Sequence, residues 1–174
     1  MSSVPKKMKA VIYYSNSDVR LEERPVPEIG PGELLVKMEA CGLCGSELTE
    51  YYMIPRSPLV MGHEPTGIVV QVGEGVTKFK EGDRVFSHHH VGCMSCHQCH
   101  RGNFTLCENF RKSRLYPGAM CEYFRVPEEN AKFDTIILPD NVSFDVGTLV
   151  EPIACTMRGV KITPIRPGDT VVVI

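Results

Sequence analysis

The sequence has almost no net charge, no long hydrophobic run and no export signal. Its 19 basic and 21 acidic side chains leave a formal charge of −2 over 174 residues, which argues against a surface that binds nucleic acid or another polyanion. Its apolar runs are far shorter than the ~20 residues of a membrane-spanning helix. The opening MSSVPKKMKA lacks the apolar segment that directs secretion. We therefore expect a cytoplasmic protein with no nucleic-acid partner and no membrane partner.

Helical patterns are also scarce, and neither internal repeats nor low-complexity segments occur. The length fits one substantial domain, and the composition is ordinary for a globular protein. Short β-patterned stretches separated by turn residues predict a mainly β (α+β) fold, a barrel or sandwich with few helices. These stretches are MKAVIYY (8–14), VRLEERPVP (19–27), LLVKMEA (34–40), GIVVQVG (67–73), KEGDRVFSHHH (80–90), GAMCEYFRVP (118–127) and DTIILP (134–139).

The C-terminal part of the chain has a different pattern. Apolar residues recur at helical spacing after Ser143, a good N-cap, with Asp145 in the first turn. A Pro-Gly-Asp turn then leads into TVVVI (170–174), a continuous apolar strand of the kind found inside parallel sheets. Because one strand cannot form such a sheet, we expect a second domain to begin here. The G-x-G-x-x-G fingerprint of a dinucleotide-binding turn is absent from the 174 residues.

Residues 93–107, CMSCHQCHRGNFTLC, contain closely and regularly spaced cysteines. In a reducing compartment such spacing indicates metal ligands rather than disulfides, although free thiols or a redox-sensitive loop are the alternatives. Four thiolates complete a tetrahedron around zinc and leave no position for substrate, so the predicted site is structural. His97 and His100 lie between the cysteines, and we expect them to be solvated. The predicted ligands are Cys93, Cys96, Cys99 and Cys107.

Three other segments offer ligands for a different kind of metal site. They are CGLCGSEL (41–48), GHEPTG (62–67) and VEPIAC (150–155), which supply thiols, an imidazole and carboxylates. A zinc site with such mixed ligands and an open position is the catalytic type. Each segment alone is a weak signal, since a single CxxC is often a redox pair and a His-Glu pair usually lies at the surface. Their presence together with a four-cysteine loop predicts a catalytic zinc.

The order GLCGSE, GHE, C-x2-C-x2-C-x7-C, EP and PGDTVVVI resembles the zinc-dependent medium-chain alcohol/polyol dehydrogenases. The glutamate of the EP motif is similar to that of the sorbitol- and threonine-dehydrogenase-like branch. The resemblance implies a flexible extension over 1–7 and a GroES-like zinc-binding catalytic barrel over 8–142. It implies that 143–174 form a connecting helix and the first strand of a Rossmann domain for NAD or NADP. It also implies a chain about twice as long, a small alcohol or polyol substrate, and a homodimer or homotetramer.

The resemblance assigns roles to individual residues of the catalytic site. Cys44, His63 and Glu64 match the ligands of the catalytic zinc, and Glu64 thereby counts among the catalytic residues. Glu151 matches the glutamate that approaches the metal directly or through water. Ser46 matches the hydroxyl that accepts the proton of the alcohol and passes it on.

Two positions depart from the usual pattern of the family. Glu47 stands where relatives usually have aspartate; its carboxylate can accept the second N–H of His63 and orient the ring, but over a different distance. Thr49 stands where many relatives have a histidine that ends the proton relay. A threonine hydroxyl can pass a proton but cannot store one near neutral pH, so we expect water or another residue to be the final acceptor.

The remaining cysteines and histidines are interpreted as structural. Cys41 is a neighbour of the catalytic ligands, and Cys121 is a small core residue in an alternating strand. Cys155 lies one helical turn beyond Glu151 and is expected to pack on the same side. The triplet His88–His90 is expected to end a strand with its side chains on alternate faces, outside the relay.

Two functions remain open at this point. The first is the catalytic domain of a dehydrogenase that oxidises a secondary alcohol or polyol to a ketone or aldehyde by hydride transfer, inactive without its cofactor domain. The second is a non-catalytic zinc-binding structural module. The segment TVVVI favours the first, because a self-contained module has no use for an unpaired apolar strand, which invites pairing between chains.

Overall fold

The structure, a computed structural model, describes residues 4–173 and contains eight strands and six α-helices in that range. The strands are β1 Lys7–Ser15, β2 Asp18–Pro25, β3 Leu34–Gly42, β4 Leu59–Val60, β5 Glu64–Val72, β6 Arg84–Ser87, β7 Tyr123–Val126 and β8 Thr135–Ile137. The helices are α1 Glu50–Met53, α2 His97–His100, α3 Glu108–Lys112, α4 Glu128–Phe133, α5 Phe144–Gly147 and α6 Val150–Ile162. Short 3₁₀ turns cover Gly45–Leu48, Ile54–Arg56 and Phe104–Leu106.

The strands form two antiparallel sheets. One has three strands in the order β2-β1-β4, and the other has five in the order β7-β3-β5-β6-β8. The predicted mainly β fold with few helices is confirmed, and each predicted stretch from 8 to 139 contains a strand. The two-residue strand β4 was not predicted, because it is too short to show alternation.

The core lies on the inner faces of these sheets. Alternation along β1 and β3 directs their apolar side chains inward, where they meet residues of β5, β6 and β7. The largest fully buried side chains of this main cluster are Phe124, Met8, Ile12, Leu34, Leu115, Val36, Val69, Val85 and Val126. The core therefore fixes the relative positions of β3, β5 and β6, whose ends carry the candidate site residues.

The single C-terminal helix predicted from Ser143 is divided into α5 and α6. The N-cap is confirmed, since the Ser143 hydroxyl accepts the Val146 N–H at 3.2 Å. The break has a cause in Pro152, which occupies the third position of α6; a proline has no N–H and is tolerated only in a first turn. Within residues 4–173, no helix combines the length and the apolar character needed to cross a membrane.

Both ends of the chain differ from expectation. Lys7, the last residue of the predicted extension 1–7, belongs to β1, and residues 1–3 lie outside the described range. The predicted strand TVVVI does not form over residues 170–173: Val172 and Val173 are 78% and 92% exposed, and Ile174 lies outside the described range. A strand requires a hydrogen-bonded neighbour, and none of the described strands lies beside this segment.

The central position of Phe124 predicts a large effect of its truncation. Phe124 is fully buried in the main cluster, whereas Phe133 is 41% exposed. We expect Phe124→Ala to lower the free energy of unfolding by about 3–5 kcal/mol, because a buried cavity remains, and Phe133→Ala to cost much less. Urea unfolding followed by circular dichroism measures both values; equal losses would contradict this account of the core.

Candidate metal centres and the adjoining cavity

The four-cysteine loop folds as a compact donor group after β6. Short turns, including α2 and a left-handed Met94 with φ 55°, bring the sulfur atoms within 4.8 Å of one another. Sulfur atoms on a tetrahedral zinc with ~2.3 Å bonds lie about 3.8 Å apart, so this donor set fits zinc. His97 and His100 are exposed and outside the group, which confirms that they are solvated. The grouped residues are Cys93, Cys96, Cys99 and Cys107.

The environment of this loop favours thiolates on two of its sulfurs. The Ser95 hydroxyl contacts Cys93 Sγ at 3.5 Å and lowers the pKa of Cys93 to about 6. The Cys93 N–H donates to Cys107 Sγ at 3.4 Å and lowers the pKa of that thiol. Burial raises the pKa of Cys99 to about 12, so this ligand loses its proton only when a cation is present.

The second donor group lies where β3 ends and β5 begins. Cys44 is the N-cap of the 3₁₀ turn that follows β3, and Glu64 is the first residue of β5. Their donor atoms and that of His63 lie within 4.8 Å of one another. One thiol, one imidazole and one carboxylate fit a catalytic zinc site, which keeps an open position.

The buried carboxylate of Glu47 holds the two segments of this group together. It accepts the Gly62 N–H at 2.5 Å and the Cys44 N–H at 3.3 Å. It also faces His63 Nδ1 at 3.7 Å, while His63 Nε2 points toward Glu64 at 3.9 Å. The facing Glu47 carboxylate raises the pKa of His63 to about 9.

Gly62 makes this arrangement possible. Its φ of 91° is in the left-handed region, and a Cβ there would lie 2.5 Å from the backbone nitrogen of Met120. Any side chain at this position would displace the neighbouring backbone. The glycine thereby keeps its N–H directed at the Glu47 carboxylate.

Glu151 lies near this donor group without joining it. It belongs to the first turn of α6 and lines the same cavity as His63. Burial raises the pKa of Glu64, and the negative charge of Glu151 contributes in the same direction. Cys155 donates to Glu151 Oε1 at 2.9 Å, which confirms that the two residues share one side of the helix.

The two hydroxyl residues of the predicted relay are placed differently. Ser46 lines the cavity together with His63. Thr49 is not among the lining residues, and its hydroxyl donates to the Gly45 carbonyl at 3.1 Å. The structure therefore brings Ser46, but not Thr49, to the cavity beside the donor group.

The other two cysteines have the predicted structural character. Cys41 lies beside the donor group but outside it, and burial raises its pKa to about 12. Cys121 is 2% exposed in the main core cluster, and burial raises its pKa to about 12 as well. Both thiols therefore stay protonated, which confirms Cys121 as a core residue.

The expectation for the triplet His88–His90 is wrong. The strand β6 ends at Ser87, and all three histidines line the cavity. The His89 ring lies 6.3 Å from the His63 ring, between centroids. The cause is the antiparallel pairing of β5 with β6, in which Thr66 faces Phe86; three residues further along, this register sets His63 opposite His89. The sequence carries no local signal for this contact, because the register of β5 and β6 is known only from the structure.

The cavity beside the second donor group has a volume of about 680 Å³, which is within the range of small-molecule sites. Ser46, His63 and Glu151 line one end. The structure is therefore a β-rich domain with one four-thiol donor group that fits a closed zinc site. A second, mixed donor group that fits an open zinc site lies next to a ligand-sized cavity.

Comparison with known proteins identifies the family. Residues 30–139 match the alcohol dehydrogenase GroES-like domain, and the chain belongs to this family. It is 31% identical over 180 residues to sorbitol dehydrogenase of Bacillus subtilis, covering 98% of this chain and 50% of that protein. The chain thus spans about half the length of the curated relatives it matches.

Solved structures show the same fold. The crystal structure of 2R,3R-butanediol dehydrogenase from Bacillus subtilis matches with a TM-score of 0.74 and 33% identity, covering 93% of this chain and 49% of the other. That of galactitol-1-phosphate dehydrogenase from Escherichia coli matches with a TM-score of 0.72 and 31% identity, covering 86% and 43%. The predicted GroES-like fold is therefore confirmed.

Removal of the loop metal should destabilise the domain. We expect Cys99→Ser to lower the zinc content by one ion per chain and to lower the midpoint of thermal unfolding, because structural zinc contributes folding free energy. Cys121→Ala is the matched control, since Cys121 is equally buried but outside both donor groups. Zinc analysis by mass spectrometry and calorimetry provide the two measurements. Unchanged zinc content in Cys99→Ser would contradict the assignment.

Proposed function

We propose that this chain is the catalytic domain of a zinc-dependent, NAD(P)-linked dehydrogenase that oxidises a secondary alcohol or polyol to a ketone or aldehyde. The observation that carries the proposal is the open donor group of Cys44, His63 and Glu64 beside a cavity that Ser46 also lines. The relatives named above are a sorbitol dehydrogenase, a 2R,3R-butanediol dehydrogenase and a galactitol-1-phosphate dehydrogenase, which supports a small alcohol or polyol as the substrate.

The residues of the donor group would hold the catalytic zinc. A zinc ion bound there supplies Lewis acidity to the oxygen of the substrate. Glu47, which faces His63 Nδ1 at 3.7 Å, positions the imidazole so that Nε2 stays directed into the site. Glu151 lies close enough to Glu64 to raise its pKa, which supports a role for Glu151 as a carboxylate that approaches the metal position.

Proton removal is assigned to Ser46. Its hydroxyl accepts the proton of the substrate and can donate its own, because a hydroxyl is both a donor and an acceptor. The Thr49 hydroxyl is bonded to the Gly45 carbonyl, so we propose that it supports the turn and that solvent receives the proton. A nicotinamide cofactor, NAD or NADP, would supply the hydride acceptor.

We propose that residues 8–142 form the catalytic domain and that 143–174 belong to the start of the cofactor-binding domain. The helix α6 supports this division, since none of its residues is buried. Its apolar side chains Ile153, Met157 and Val160 are 56%, 62% and 53% exposed, as expected of a helix that packs against another unit. Location in the cytoplasm and assembly as a homodimer or homotetramer stay predictions.

Cobalt substitution tests the catalytic metal site. We expect two spectroscopically distinct Co²⁺ sites in the chain, of which Cys44→Ser loses the weaker one, because it has one thiolate instead of four. Cys41→Ser is the matched control, as a neighbouring cysteine outside the donor group. Adding sorbitol should shift the visible absorption of the Cys44 site alone. Two metals bound with unchanged affinity in Cys44→Ser would refute the site.

The 174 residues alone should not turn over a nicotinamide cofactor. They contain no G-x-G-x-x-G, and holding the nicotinamide against the substrate can account for about 7–11 kcal/mol of the barrier. We expect no NAD(P)H absorbance from the zinc-loaded chain with any alcohol, and activity when a nucleotide-binding domain follows residue 174. Turnover by the purified 174-residue chain, cleared of contaminating enzymes, would count against the proposal that cofactor binding requires a second domain.

A further inference from the structure

Three arginines line the cavity at positions that the proposed reaction does not use. Arg56, Arg111 and Arg114 share the cavity with Ser46 and His63. Among residues 4–173, none of the three forms an ion pair. Arg20, Arg24 and Arg125 do have carboxylate partners. The cavity thus holds three guanidinium groups without an acidic partner from the described chain.

These arginines come from two segments of the chain, and all three are exposed to solvent. Arg56 ends the 3₁₀ turn after α1, and its Cζ lies 3.5 Å from the centroid of the Tyr52 ring, which also lines the cavity. Stacking on a ring face leaves the in-plane N–H groups of a guanidinium free to donate. Arg111 lies in α3 and Arg114 just after it.

Two histidines of the cavity, His89 and His90, lie near the positive charge of Arg114. Burial lowers the pKa of His89 to about 2, and the charges of His90, His63 and Arg114 act in the same direction. Burial lowers the pKa of His90 too, with further lowering by His88 and Arg114. Nδ1 of His90 forms a hydrogen bond with the Ser113 carbonyl at 2.8 Å. Arg114 is therefore a charged neighbour of His89 and His90 in the cavity.

The carboxylates of the cavity are at its metal end and are already engaged. Glu47 accepts two backbone N–H groups and faces His63. Glu151 accepts from Cys155 and lies next to Glu64. A zinc ion held by one thiolate and one carboxylate adds no net charge, so metal binding leaves the arginines uncompensated. The lining of the cavity thus combines carboxylates beside the donor group with three arginines that have no carboxylate partner among the described residues.

We propose that the substrate of this site is a polyol that carries a phosphate monoester, with its reacting carbinol at the Cys44–His63–Glu64 end and its phosphate between Arg56, Arg111 and Arg114. This inference rests on the proposed function and specifies its substrate class. Guanidinium groups bind phosphate through paired, charge-assisted hydrogen bonds. The dianionic phosphate matches three cations better than a monoanionic carboxylate does.

Binding to the zinc-loaded chain tests the substrate class. Calorimetric titrations with sorbitol 6-phosphate, gluconate and sorbitol compare a phosphate, a carboxylate and a neutral polyol of six carbons. We expect the phosphate ester to bind at least tenfold more tightly than sorbitol and clearly more tightly than gluconate. Equal binding of sorbitol and its phosphate, or gluconate binding as tightly as the phosphate, would overturn the proposal.

Arginine variants test the position of the phosphate. Arg56→Gln and Arg114→Gln should each weaken sorbitol 6-phosphate by about tenfold, the loss of one charge-assisted contact, and should leave sorbitol binding and zinc content unchanged. Arg158→Gln is the matched control, since Arg158 is exposed on α6 and does not line the cavity. An equal loss in the control, or no loss in the two cavity variants, would overturn the assignment.

A variant without the catalytic metal separates this inference from the proposed function that it refines. Cys44→Ser should lose the catalytic metal but keep binding of inorganic phosphate, because the arginines remain. Loss of phosphate binding in Cys44→Ser, together with unchanged binding in Arg114→Gln, would mean that phosphate binds the metal instead and would overturn the inference alone. Failure of Cys44→Ser to lose metal would refute the proposed function, whereas phosphate binding that is kept in Cys44→Ser and lost in Arg114→Gln would still support the inference.

Discussion

The antiparallel pairing of β3 with β5 is the constraint on which the candidate site depends. In its register, Gly42 at the end of β3 faces Glu64 at the start of β5. The chain leaves β3 toward Cys44 at the same place where it enters β5 from His63, so the donor atoms meet without any contact between distant loops. The buried pairs of this sheet, such as Val36 with Val69, fix the register from the core side, since a slip of one residue would turn apolar side chains to solvent.

Sequence patterns predicted the parts of the fold that repeat or that carry several ligands close together. The strands were predictable because alternation and turn residues mark them, and the cysteine loop because all its ligands lie within one short segment. The helices α1 to α4 have only four to six residues, too few to show a helical period. The division at Pro152 and the unpaired residues 170–173 depend on neighbours that a local pattern does not reveal.

The cavity was less predictable than the metal ligands for a physical reason. His89 and the three arginines come from segments far apart in sequence, and only the pairing of β5 with β6 and the fold of the cysteine loop bring them together. A motif can indicate which residues bind a metal, because the spacing of ligands is set by coordination geometry. The wall of a substrate cavity has no such spacing, so its charge pattern emerges only from the tertiary structure.

The Glu47–His63 contact makes metal binding at the open site an exchange between a cation and a proton. Since the facing carboxylate raises the pKa of His63 to about 9, the imidazole carries a proton at neutral pH until a metal displaces it. From His63 alone, the apparent affinity for metal then falls about tenfold for each pH unit below this pKa. The four-cysteine loop has no histidine ligand. Acidification should therefore release its metal by protonating thiolates alone, whereas at the open site protonation of His63 contributes.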